Sequence, residues 1–90
     1  MTSCAVTIVN PLGLHARAAA QLVRLARGFK SRMLLKREDT NAIADAKSIL
    51  SLLSLAASIG TALFLHVEGE DEETAFEAVS GLFRDGFGEI

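Results

Sequence analysis

Ninety residues amount to one small domain, here 1–90, with no room for a separate substrate or regulatory domain. Half the residues are hydrophobic and 22% are charged, which supplies one core and excludes a disordered tail. The net charge of −2 and the lack of Tyr and Trp argue against nucleic acid, but the total hides a split: residues 1–47 carry eight Lys/Arg and three Asp/Glu, residues 48–90 one Arg and eight Asp/Glu.

The first segment, Met1-Thr2-Ser3-Cys4, has neither a basic nor an apolar leader character. Cys4 to Val9 is rich in β-branched residues and reads as a strand, ended by the turn formers of Asn10-Pro11-Leu12-Gly13. Cys4, the single cysteine, is expected as a small packed residue of that strand, in keeping with a reducing compartment. Ala16 to Arg27 is an amphipathic helix: Ala19, Leu22, Val23 and Ala26 face inward, Arg17, Gln21, Arg24 and Arg27 outward, and Gly28 is the expected C-cap.

Ser31 to Arg37 and Ala42 to Asp45 form an expected β-hairpin around the polar turn 38–41. A second helix is predicted over Lys47 to Leu55, capped by Asp45 or Ser48. The apolar stretch from Ile49 to Ile59 is broken by Ser51, Ser54 and Ser58 and falls well short of the ~20 residues needed to cross a bilayer. Thr61 to Val67, after Gly60, is the most strand-like run; His66 within it reads as structural or surface. Glu70 to Arg84 is a third helix with acids in its first turn and Phe76, Val79 and Phe83 inward; Gly86-Phe87 suits a Schellman-type ending. The order β-α-β-β-α-β-α, with short runs and tight connections, predicts an α+β domain: an antiparallel sheet with helices on one face.

The chemistry-bearing inventory is small. Two His and one Cys without neighbouring ligands give no metal site, and the glycines form no nucleotide-phosphate loop, so no cofactor is expected. No serine lies in a nucleophile elbow. What remains is His15 at the start of the first helix, with Arg17 two residues on. The first amides of a helix have no internal partners and attract anions, and the same positive end favours a neutral, nucleophilic imidazole. A phosphoryl group on His15 could be held there by the helix start and the Arg17 guanidinium. The plain alternative is an exposed histidine beside a solvated arginine.

The run Gly13-Leu14-His15-Ala16-Arg17-Ala18-Ala19-Ala20 resembles the phosphohistidine signature of the HPr family, the phosphocarriers of the phosphoenolpyruvate-dependent phosphotransferase system. Gly28-Phe29, Ala46-Lys47-Ser48, Gly60 and Glu68-Gly69-Glu70-Asp71-Glu72 are similar in kind and spacing, so the likeness spans the chain. It implies an open-faced two-layer β-sandwich of a four-stranded antiparallel sheet and three helices. It further implies that His15 accepts phosphate through Nδ1, with Arg17 stabilising it. The donor would be Enzyme I and the acceptor an Enzyme IIA-type protein, and the chain would be a relay component rather than a stand-alone enzyme. Ser48 matches a position that an HPr kinase/phosphorylase modifies in some members. The family most often has Pro where Ala18 stands; Ala restores an N–H and loosens the helix start slightly.

The second helix has more apolar residues than one buried stripe needs. With Leu52 and Leu55 inward, Ile49, Leu50 and Leu53 are left for a docking patch rimmed by Arg17, Gln21, Arg24, Arg27 and Lys47, suited to acidic partners. Within the family, Asn10 to Arg17 and Gly81 to Phe87 resemble the nitrogen-related branch more than the sugar-transport branch. A cytoplasmic monomer without membrane partners is expected. The rival readings are a regulatory binding module controlled at Ser48, and a small ligand-sensing βαββαβ domain.

Overall fold

In the computed structural model, which describes residues 2–89, the elements follow the expected order. They are β1 (Thr2–Thr7), α1 (Ala16–Ala26), β2 (Arg32–Arg37), β3 (Ile43–Asp45), α2 (Ile49–Leu53), β4 (Ala62–Glu68) and α3 (Glu72–Arg84), with a 3-10 turn at Gly86–Gly88. The four strands form one antiparallel sheet in the order β1-β4-β2-β3. β4 therefore lies between β1 and β2, the two strands that α1 connects.

Alternation along the strands selects one face of the sheet. Val6, Met33, Leu35, Ala44, Leu63, Leu65 and Val67 are buried, while Ser3, Ala5, Thr7, Ala62, Phe64 and Glu68 between them are exposed. The helices cover the first set. α1 turns Ala18, Ala19, Leu22, Val23 and Ala26 inward, and its three alanines let the helix approach closely. Val79 and Phe83 of α3 are buried as expected, joined by Ala75, whereas Phe76 is half-buried. Cys4 is half-buried and packs against the core.

Several element ends differ from the expectation. β1 stops at Thr7, although Ile8 still exchanges backbone bonds with Thr61 and Gly60 before the chain bends at Asn10-Pro11. α1 is wound off by short bonds from Gly28 to Leu25 and Phe29 to Ala26, and Gly28 is not left-handed, so its expected cap role is not used. α2 is only five residues long; the carbonyls of Leu55 and Ala56 beyond it are taken by the Arg37 guanidinium at 2.8 and 2.9 Å. α3 begins at Glu72 rather than Glu70. Asp71 is drawn across the molecule to accept from the backbone N–H groups of Lys30 and Ser31, at 2.8 and 2.9 Å, and from the Ser31 hydroxyl. At the far end Gly86 is left-handed and Phe87 packs edge-on against Phe83, with ring centroids 5.1 Å apart.

One glycine decides where α1 starts. Gly13 has φ +70°, and a Cβ there would lie 2.6 Å from the Ala57 carbonyl oxygen. The absent side chain lets the loop after β1 lie against the segment after α2, where the Leu14 N–H donates to Ala57 at 2.8 Å.

Candidate functional site

The site is built at the start of α1. His15 is the N-cap residue, with extended backbone, and its carbonyl accepts the Ala19 N–H at 2.8 Å. Its side chain folds over the helix end, so that Nδ1 accepts from the Arg17 backbone N–H at 3.2 Å. The other ring nitrogen, Nε2, is 2.5 Å from Oε2 of Glu89. An acceptor at Nδ1 and a carboxylate at Nε2 together assign the ring proton to Nε2 and the lone pair to Nδ1.

The ring is held rather than loose. Its side chain is 25% exposed and that of Glu89 17%. The Glu89 carboxylate also accepts from Nδ2 of Asn10 at 3.3 Å, and Nδ2 of the fully buried Asn10 donates to the Gly13 carbonyl at 2.8 Å. The hydrogen bond from His15 is the main cause that keeps the Glu89 carboxyl below the usual carboxylate range; the Asn10 amide works in the same sense and burial opposes both.

No acidic residue occupies the first turn of α1. Arg17 is exposed, and its guanidinium makes no hydrogen bond or ion pair among the described residues. A nitrogen lone pair thus lies at the positive end of a helix, whose first turn also carries an uncommitted cation. That environment favours an anion and a nucleophilic nitrogen together. Ala18 is fully buried, so the N–H that distinguishes it from proline is covered by its surroundings.

The other expected residues are spread along α1. The Arg27 guanidinium donates to the Lys47 carbonyl at 3.2 Å, and Lys47 Nζ donates to the Phe29 carbonyl at 2.8 Å, which ties the end of α1 to the start of α2. Since Leu14, before α1, is bonded to Ala57, after α2, the two helices run antiparallel. Ser48 therefore lies toward the end of α1 away from His15, a helix about 16 Å long at 1.5 Å per residue. Ser48 caps α2 by accepting the Ser51 N–H at 3.3 Å, while Asp45 instead closes a turn onto the Lys47 N–H. Ile49 and Leu50 are 40% and 80% exposed and Leu53 is half-buried, while Leu52 and Leu55 enter the core. Arg24 is exposed and Gln21 half-buried. His66 is half-buried on the uncovered sheet face, 6.1 Å from the Phe64 ring.

Sequence reasoning missed Glu89. It lies 74 positions from His15, in a glycine-rich tail with no local periodicity, and only the turn after α3 brings it back. No helix among the described residues is long and apolar enough to cross a membrane.

Comparison with known proteins identifies the family. Residues 2–85 match the family model described as "PTS HPr component phosphorylation site". The chain is 45% identical over 83 residues to the phosphocarrier protein HPr of Cupriavidus necator, covering 92% of this chain and 91% of that one. It is also similar to two solved structures from Thermoanaerobacter tengcongensis, each 40% identical. One is of HPr-C-His, with a TM-score of 0.92 over 100% of this chain and 99% of the other; the second is of an HPr dimer, with a TM-score of 0.75 over 99% and 100%. With the family model, the fold and nearly the whole length in common with these proteins, the chain belongs to the HPr family of phosphocarriers of the phosphotransferase system.

Proposed function

We propose that Nδ1 of His15 accepts a phosphoryl group from a phosphohistidine of Enzyme I and passes it to a histidine of an Enzyme IIA-type protein. The carrying observation is the direction of the lone pair: Nδ1 points at the first-turn amides of α1, and Nε2 is engaged by Glu89. Each step is an in-line transfer in which positioning and charge do most of the work. The α1 amides and the Arg17 guanidinium receive the phosphoryl oxygens, and the partner supplies the rest of the site.

Docking uses the exposed Ile49 and Leu50 with the half-buried Leu53. The exposed Arg17, Arg24 and Arg27, with Gln21 and Lys47, guide acidic partners toward them. Within the family we favour the nitrogen-related branch, on the runs Asn10 to Arg17 and Gly81 to Phe87. The carrier acts as a cytoplasmic monomer in this reading, although the related Thermoanaerobacter tengcongensis protein occurs as a dimer in one structure. Ser48, toward the end of α1 away from His15, is where an HPr kinase/phosphorylase would act; its phosphate would add charge beside Ile49 and Leu50.

The test is labelling by phosphoenolpyruvate and Enzyme I. The wild-type chain acquires an acid-labile phosphate, as expected of phosphohistidine, and His15→Ala acquires none. A His15→Ala chain labelled as well as wild type would end this reading. Faster labelling by the nitrogen-branch Enzyme I homologue than by the sugar-branch one identifies the branch.

A further inference from the structure

We propose that Glu89 is the positioning residue of the His15 ring: its carboxylate holds the Nε2 proton, keeps the lone pair at Nδ1, and stabilises the ring when it becomes cationic. The first part stands on geometry alone. The last part rests on the phosphocarrier reading above.

The turn that delivers Glu89 is built for the purpose of placement. Gly86, Phe87 and Gly88 have φ of +61°, +55° and +78°, so three consecutive left-handed residues turn the chain back after α3. A phenylalanine in that region is strained and persists only when its surroundings over-determine it. Here Phe87 is 3% exposed and packed on Phe83. The anchored turn sets Glu89 over the loop after β1, where the Asn10 amide and the His15 ring converge on one carboxylate oxygen. The Leu12 backbone also helps keep that carboxyl ionised. The carboxylate therefore meets the loop that carries His15 as well as the ring itself.

The chemistry of transfer explains why a carboxylate at Nε2 matters. When the Nδ1 lone pair forms a bond to phosphorus, the donor's P–N bond breaks and its electron pair returns to the donor nitrogen. The His15 ring keeps its Nε2 proton and becomes cationic. In the onward step the Nδ1–P bond breaks, its pair returns to Nδ1, and the ring is neutral again. A cationic ring is the better leaving group, and a carboxylate on Nε2–H favours it, as the buried aspartate of a Ser-His-Asp triad favours its imidazolium. The charged residues in contact with the ring are Glu89, from the turn after α3, through its carboxylate, and Arg17, from the first turn of α1, through its backbone N–H.

Two measurements test this, one without phosphate. In the unphosphorylated wild-type chain, NMR should show a downfield Nε2–H proton protected from exchange with water. Glu89→Ala should lose that protection and Glu89→Asp should regain part of it. In chains phosphorylated at His15, Glu89→Gln should move the titration midpoint of the phospho-ring down by about one unit and slow onward transfer about tenfold, since one unit corresponds to a tenfold change in protonation equilibrium. Thermal melts of each variant identify any that fail to fold, and Glu89→Asp covers that case. An unchanged Nε2–H signal in a folded Glu89→Ala chain overturns the positioning role. An unchanged phospho-ring midpoint and transfer rate in Glu89→Gln overturn its part in transfer. A wild-type chain never labelled at His15 instead defeats the phosphocarrier reading and leaves the Nε2–H result standing.

Discussion

The starts of α1 and α3 present the same physical problem and solve it differently. Both helices begin with amides that have no intrahelical partner and attract negative charge. At α3 the chain supplies that charge itself, with Glu72 and Glu73 in the first turn and Glu72 accepting from the Thr2 hydroxyl and the Gly69 N–H. At α1 there is no acid in the first turn, the cap is a histidine, and the one carboxylate that approaches binds the ring instead of the amides. A helix start neutralised from within serves stability; one left open can receive an anion from outside.

The seat of α1 is the most sensitive part of this contrast. Gly13→Ala meets both a left-handed backbone and a close carbonyl, and should cost about 2–5 kcal/mol, from ~1–2 for the conformation and ~1–3 for overpacking. Urea unfolding reads this directly, and a loss below about 1 kcal/mol would show that the loop relaxes freely.

At α3, Asp71→Ala removes the bonds to Lys30 and Ser31 that tie the helix start to the end of α1. The melting temperature should fall at neutral pH by at least about 4–8 °C, the shift typical of losing a single such bond in a domain of this size, since three are lost. The Asp71 carboxyl is held below its usual range, chiefly by the Ser31 hydroxyl and then the Lys30 N–H. A carboxyl lowered by folding contributes stability above its unfolded value, near pH 4, and loses it as pH falls through the depressed one. The deficit of Asp71→Ala should therefore shrink between pH 5 and pH 2.5. An equal deficit at both ends of that range would show that the charge of Asp71 is immaterial.

The mildest test makes α1 resemble α3. Ala16 is exposed at the first position of α1, and Ala16→Glu places an acid there. Stability should rise by about 0.3–1 kcal/mol. Labelling by Enzyme I should slow roughly tenfold, because the new carboxylate competes for the amides that would receive a phosphoryl group. A gain in stability with unchanged labelling would separate the helix end from phosphoryl binding.

Much of this molecule is legible along the chain. The order of elements, the inward face of α1, most of that of α3 and the surplus apolar residues of α2 all follow from spacing over a few residues, which also narrow the cap of α2 to Asp45 or Ser48. So does the placing of His15 and Arg17 at a helix start. Element ends were less legible, because they depend on partners far away: Asp71 reaches Ser31 across 40 positions, and Arg37 caps the carbonyls after α2 across 18 and 19.

By itself, then, the sequence determined that the chain is an α+β domain with a histidine at the open end of a basic helix, since helix starts and amphipathic faces are written in neighbouring residues. Only the tertiary structure decided which nitrogen of that histidine carries the lone pair, toward which end of α1 Ser48 lies, and that Glu89 closes on the ring. Those facts depend on how the tail after α3 and the antiparallel α1 and α2 pack around a shared core, and packing joins residues that no local pattern relates.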